Sequence, residues 1–221
     1  MKVLLYGGTF DPPHNGHLNN LQAAAERVRP DQVVVMPAGV PPHKAASSTP
    51  AALRLEMCRC FYALEGTPYL PRITVSDWEI RQAAAGQRNY TVRTIEMLGQ
   101  TYPEARLYLA VGSDMLESFQ AWYRWQDILR LAQLVVVSRE IGDDCVLHSA
   151  ARALDPTGSR ILMTQVEALP MASREIRRRL EAGEDCAAAL PEQVRQVIRR
   201  EGLYTGPGHE AIPHPCQHPE P

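Results

Sequence analysis

The sequence has no apolar run near the roughly 18 residues that a membrane-spanning helix requires, so no membrane segment is expected. Positive charge is not concentrated either. Lys and Arg number 23 against 25 Asp and Glu, the formal net charge is -2, and no long basic run occurs. Nucleic acid is therefore disfavoured as the main partner, whereas a small phosphate-bearing substrate needs only a few local cations. Cysteines are few and odd in number, at 58, 60, 145, 186 and 216, and none shows zinc spacing. Cys58 and Cys60 lie two apart in a helical pattern, point to different sides and could hardly share a metal. Unpaired thiols in a reducing cytoplasm are the simplest expectation. The opening stretch Met1–Tyr6 is too short for a signal peptide's hydrophobic region and reads as a buried first strand.

What is present is an ordinary globular composition, 45% apolar and 22% charged over 221 residues, enough to bury the core of one domain. Apolar runs of strand length fall at Lys2–Tyr6, Gln32–Met36, Arg72–Val75, Arg106–Val111, Leu134–Val137 and Arg160–Met163. Helical periodicity fills Gly16–Arg29, Pro50–Leu64, Thr91–Thr101, Tyr123–Leu131, Ser173–Ala182 and Pro191–Glu201. This alternation predicts an α/β fold, a doubly wound and mostly parallel sheet with helices on both faces. One domain over residues 1–204, ending in C-terminal helices, is expected. Gly206 to Pro221 holds five prolines and three histidines with almost nothing to bury. A disordered tail over 205–221 follows, in which His209, His214, Cys216 and His218 are at most a loose metal site.

The loop Gly7-Gly8-Thr9-Phe10-Asp11-Pro12-Pro13-His14-Asn15-Gly16-His17 joins the first strand to the first helix. Ligands of doubly wound sheets bind beyond the carboxyl ends of the strands. Two glycines allow a phosphate to approach the backbone closely, and the following helix aims its amino-terminal dipole at the same place. His14 and His17, three apart at a helix start, share one side. Their imidazoles can donate to phosphate oxygens as charge develops in a transition state. The loop is neither the dinucleotide fingerprint, for want of the third glycine and its spacing, nor a P-loop, for want of Gly-Lys-Ser/Thr.

Other candidates fall where the remaining strands end. Lys44, in the proline-rich Pro37–Lys44 stretch, is a mobile point charge for a phosphate. Asn89 or Thr91 is a candidate N-cap for the helix that follows. Asp77-Trp78-Glu79 reads as structural or rim-lining. Gly112 permits close approach, and Asp114 can take a ribose hydroxyl or orient a lysine. Trp122 and Tyr123 are candidates to stack on a flat cationic ring, whereas Trp125 is assigned to packing. Arg139 follows the fifth strand. Ser173 is a candidate N-cap, with Arg177 one turn further on.

At these residues the chain resembles the HxGH nucleotidyltransferase superfamily, and Gly7–Pro12 with His14 and His17 is similar to the opening of bacterial nicotinate-nucleotide adenylyltransferases. The Pro-His-Lys ending at Lys44, Arg54 and Met57, Tyr90-Thr91, Gly112-Ser113-Asp114, Trp122-Tyr123 and the last helix through Tyr204 extend the likeness over about residues 1–204. The resemblance implies a Rossmann-like nucleotidyltransferase fold. It also implies transfer of AMP from ATP to nicotinate mononucleotide with release of pyrophosphate, a need for Mg2+, and a cytoplasmic monomer or homo-oligomer. It assigns catalysis to His14, His17 and Lys44. ATP would be held by Gly7, Gly8, Thr9 and Phe10, by Gly112 and Asp114, by Arg139, and by Ser173, Ile176 and Arg177. Thr91, Trp122 and Tyr123 would hold the mononucleotide. Where the family runs Ile-Ser-Ser-Thr-any-Ile-Arg, this chain has Ala172 for the first serine and Arg174 for the threonine, so one phosphate-facing hydroxyl is lost. The alternatives are a sibling transferase using nicotinamide mononucleotide or another phosphate acceptor, and a nucleotide-binding module without catalysis.

Overall fold

The computed structural model describes residues 1–40, 47, 49–138, 144–165, 169 and 171–206. Lys44, Arg139 and the tail from residue 207 lie outside the described residues.

Six strands form one sheet: β1 (Lys2–Gly8), β2 (Gln32–Pro37), β3 (Ile73–Val75), β4 (Arg106–Gly112), β5 (Ala132–Ser138) and β6 (Ile161–Gln165). They lie in the order β3-β2-β1-β4-β5-β6, and every neighbouring pair is parallel. Successive side chains of a strand face opposite ways, and here both faces are buried. Leu4, Tyr6, Val33, Val35, Tyr108, Ala110, Val135 and Val137 join one core. Val3, Leu5, Val34, Met36, Leu107, Leu109, Leu134 and Val136 join the other. Continuous Val and Leu runs are what such two-sided burial demands. Strand order reverses between β1 and β4, which opens a crevice at their carboxyl ends.

Helix α1 (Asn15–Val28) follows β1 and buries Leu21, Ala24, Ala25 and Val28 against the first core. The helix expected over Pro50–Leu64 is α2 (Ala51–Met57) continued as a 3-10 segment, Cys58–Leu64. Met57, Cys58, Cys60 and Phe61 are all buried there. Cys58, Cys60 and Cys186 are unpaired thiols. Between β3 and β4 come α3 (Trp78–Ala84), which was not expected, and α4 (Thr91–Thr101). After β4 stand α5 (Ser113–Glu117) and α6 (Trp125–Leu131). The latter begins two residues later than expected because Arg124 adopts a left-handed conformation, φ 54. Helix α7 (Asp144–Leu154) precedes β6, and α8 (Ser173–Glu181) and α9 (Glu192–Glu201) complete the fold. Of the expected tail, Thr205 and Gly206 are described, and Thr205 donates to the Gly202 carbonyl at 3.1 Å. Among the described residues no helix is long and apolar enough to cross a membrane.

Candidate active site

The β1–α1 loop owes its shape to two glycines that seat aromatic rings. A Cβ on Gly8 would lie 2.8 Å from the Phe10 ring, and one on Gly16 would lie 3.0 Å from the His14 ring. Glycine at position 16 thus lets His14 fold back over the helix start, bringing its ring centroid to 3.8 Å from that of His17. The His14 backbone N–H donates to His17 Nδ1 at 3.2 Å. An accepting Nδ1 carries no proton, so His17 takes the tautomer in which Nε2 is the donor. His17 is half-buried while His14 is 2% exposed, which places His17 nearer solvent. Gly7 stands exposed on the strand end, where an added Cβ would come no closer than 3.9 Å to another atom.

Four other parts of the chain grip this loop. Ser173, at the start of α8, donates from Oγ to the Pro12 carbonyl at 2.9 Å. Arg177 Nη1 donates to the Asp11 carbonyl at 2.6 Å and lies 3.9 Å from Asp11 Oδ2. Asp11 is buried; its Oδ1 accepts from the Tyr204 hydroxyl at 2.6 Å and its Oδ2 from Ser47 Oγ at 2.7 Å. Burial pushes this carboxyl up, but the hydroxyls of Thr49, Tyr204 and Ser47 and the Arg177 charge outweigh it and hold Asp11 below its ordinary value. Arg54, only 3% exposed, donates from Nη1 to the Thr9 carbonyl at 3.0 Å and the Ala38 carbonyl at 2.7 Å, and from Nε to the Thr49 carbonyl at 3.4 Å. A buried guanidinium requires such partners.

A second knot ties the residues after β2 to α3 and α4. Asn89 Oδ1 accepts from the Val40 N–H at 2.7 Å while Asn89 Nδ2 donates to the Glu79 carbonyl at 3.0 Å. The Glu79 carboxylate accepts from Thr94 Oγ1 at 2.6 Å. Burial pushes Glu79 up to about 6 against the hydrogen bonds of Thr94 and the Gly39 N–H. Gly39 is obligatory at this crossing, since a Cβ there would stand 2.4 Å from both Asn89 Oδ1 and the Glu79 carbonyl oxygen. Beside it, Tyr123 is 50% exposed and packs on Tyr90 with centroids 4.6 Å apart. Trp122 is partly buried against Phe119, 5.3 Å between centroids.

The geometry has its counterpart in known proteins. Residues 5–179 match the cytidylyltransferase-like family model. A Neisseria meningitidis serogroup B protein named "probable nicotinate-nucleotide adenylyltransferase" is 37% identical over 209 residues, covering 92% of this chain and 98% of the relative. One of the same name from Exiguobacterium sibiricum is 35% identical, covering 92% and 99%. The chain belongs to the nicotinate-nucleotide adenylyltransferase family. Its fold also matches that of a Plasmodium falciparum nicotinic acid mononucleotide adenylyltransferase solved with NaAD, at TM-score 0.69 and 15% identity over 92% of this chain and 97% of that one.

Within this adenylyltransferase scaffold the structure brings Gly7, Gly8, Thr9, His14, His17, Ser173 and Arg177 to one strand edge, with Gly112 ending neighbouring β4. Asp114 is exposed in the first turn of α5. Several expectations need correcting. The Phe10 side chain is 2% exposed, in contact with Tyr6, Phe61 and His17, so only its backbone can face a nucleotide. Ile176 likewise has its side chain in the core, 2% exposed, which leaves its backbone for the nucleotide. Ser173 is not an N-cap: Ala172 occupies that position, and the serine hydroxyl turns across to Pro12. Neither Asn89 nor Thr91 caps α4, whose N-cap is Tyr90, without a side-chain hydrogen bond. Trp125 does pack, edge-on to Phe119. Arg174 is exposed beside Ser173. The bracing roles of Asp11, Arg54, Glu79 and Tyr204 are visible only in three dimensions.

Proposed function

We propose that this chain transfers AMP from MgATP to nicotinate mononucleotide, giving deamido-NAD and pyrophosphate. The observation that carries the reading is the His14–His17 pair, stacked at the amino end of α1 with His17 Nε2 as donor. In the reaction, a phosphate oxygen of the mononucleotide forms a bond to the α-phosphorus of ATP, and the bond from that phosphorus to the departing pyrophosphate breaks. No protein nucleophile is needed; catalysis consists of positioning and of stabilising charge on the phosphoryl and leaving oxygens. His17 and His14, at the positive end of the α1 dipole, face that charge. Arg177, Ser173 and the cations Lys44 and Arg139 complete the phosphate site, with Gly7, Gly8, Thr9 and the backbone of Phe10 alongside. Gly112 and Asp114 take the ATP ribose.

Among the described residues no group of three His, Cys, Asp or Glu stands together. Mg2+ retains most of its waters and binds through substrate phosphates, so the ion is assigned to the MgATP substrate. The pyridine ring is assigned to Trp122, Tyr123 and Thr91. Helix α4 starts at Thr91 with no capping side chain, so its first-turn N–H groups and positive dipole end favour a carboxylate over an amide. A cytoplasmic location accords with this chemistry.

Pyrophosphate release measured with ATP, Mg2+ and either nicotinate or nicotinamide mononucleotide tests the reading. A strong preference for the acid is expected. Preference for the amide would reassign the acceptor, and no release with either would remove the activity.

A further inference from the structure

The carboxylate of Asp11 sits in the phosphate-facing loop, yet it meets no substrate group in the proposed reaction. It is 6% exposed, and a buried carboxylate requires donors. Two hydroxyls bond to it directly, Tyr204 at Oδ1 and Ser47 at Oδ2, and the Thr49 hydroxyl beside them also favours its ionised form. Thr49 Oγ1 in turn donates to the Tyr204 hydroxyl at 3.3 Å, polarising it toward Asp11. The Tyr204 hydroxyl thus arrives from a residue 193 positions away. Tyr204 holds a left-handed backbone conformation, φ 59, just beyond the Gly202 cap of α9; a bulky side chain adopts it only under constraint from its surroundings.

Arg177 is the nearest charge to this carboxylate. Its Nη1 is 3.9 Å from Asp11 Oδ2, beyond hydrogen-bonding distance, and bonds instead to the Asp11 backbone carbonyl. That is its one hydrogen bond among the described residues, out of five N–H donors. A charge-assisted Arg–carboxylate bond is roughly twice as strong as a neutral one, so a carboxylate short of donors would draw the guanidinium onto itself.

We propose that Tyr204 is a positioning residue: its hydroxyl satisfies Asp11 and so keeps Arg177 from being captured by that carboxylate, leaving the guanidinium to a phosphate of ATP. The inference rests on the assignment of Arg177 to the phosphate site above. It predicts an unusual genetic pattern. Tyr204→Phe keeps the ring and its packing but removes the donor; kcat/KM for ATP should fall about tenfold, while KM for nicotinate mononucleotide stays the same. Asp11→Asn placed on top of Tyr204→Phe removes the captor's charge, so the double variant should regain most of the lost ATP efficiency. A purely structural tyrosine would make the double variant equal to or worse than Tyr204→Phe.

Pyrophosphate release by the full chain under varied ATP, then varied mononucleotide, reads all of this, with near-ultraviolet circular dichroism to confirm folding. Ser47→Ala, which removes the donor to Oδ2 without touching the C-terminal segment, should lower ATP efficiency about threefold, and Asp11→Asn should rescue it too; this pair decides the matter if Tyr204→Phe does not fold. Tyr62→Phe, on a remote exposed tyrosine, should match the wild type. Unchanged ATP efficiency in Tyr204→Phe, or no recovery in the double variant, overturns the proposal. A wild-type chain that releases no pyrophosphate overturns the functional reading instead.

Discussion

The two ends of the candidate site are built in opposite ways. Around Thr9–His17, support is a polar network with a buried centre: Arg54 at three carbonyls, Tyr204 and Ser47 on Asp11, and, at its partly exposed rim, Arg177 and Ser173 from α8. The aromatic corner is held by surface contacts, with Tyr123 half exposed on Tyr90 and Arg124 ion-paired at the surface to Glu96 and Asp127. Exposed ion pairs contribute little, whereas buried, fully satisfied polar networks fix geometry. The contrast fits the chemistry proposed for each end. Charge stabilisation in phosphoryl transfer gains from donors already in place, and a flat ring needs only a surface to lie on.

Breaking the rigid end should cost most. His17→Ala should lower kcat on the order of 10²–10³-fold, with the melting temperature nearly unchanged; an unaltered rate of pyrophosphate release would place the reaction elsewhere. Arg54→Met strands three buried carbonyls and should destabilise the fold by about 3 kcal/mol, read by urea denaturation. A loss confined to activity would show the staple to be catalytic rather than structural. At the open end, Tyr123→Ala should raise KM for nicotinate mononucleotide about fivefold while stability shifts by no more than about 0.5 kcal/mol. A rise in KM for ATP alone would move the corner to the nucleotide side.

The smallest effect belongs to the joint between the two ends. Glu79 has its pKa raised by burial from 4.5 to about 6, so the folded chain holds this proton more tightly than the unfolded one. Its contribution is fully present below pH 4.5 and is lost as pH rises through 6. Glu79→Gln removes that dependence. Melting curves at pH 5 and pH 7.5 should differ by about 1 kcal/mol less in the variant than in the wild type.

Much of this was legible beforehand. All six strands fall within two residues of the apolar runs that announce them, because two-sided burial leaves continuous Val and Leu segments. The glycine-rich loop and the histidine pair read correctly as a strand-to-helix turn. What failed was short or distant. Helix α3 buries no residue and α5 has five, so neither leaves a 3.6-residue stripe. Helix α7 does carry one, Leu147, Ala151 and Leu154, but alanine makes a weak mark. Phe10 and Ile176 stand inside nucleotide motifs, and adjacency in a motif does not say whether a side chain turns inward. The Asp11–Tyr204 bond joins residues at opposite ends of the chain, and no local pattern announces it.

Arg54 has one consequence for engineering. It grips Ala38, just after β2, and Thr49, just before α2, with a single side chain. The ten residues between them therefore leave and rejoin the scaffold at fixed points, like a bracelet on a clasp. Doubling the length of such a span costs only about 0.6 kcal/mol in closure entropy. The stretch carries Ser47, bonded to Asp11, and Lys44, assigned above to the phosphate site, so a graft into it has to keep those two residues.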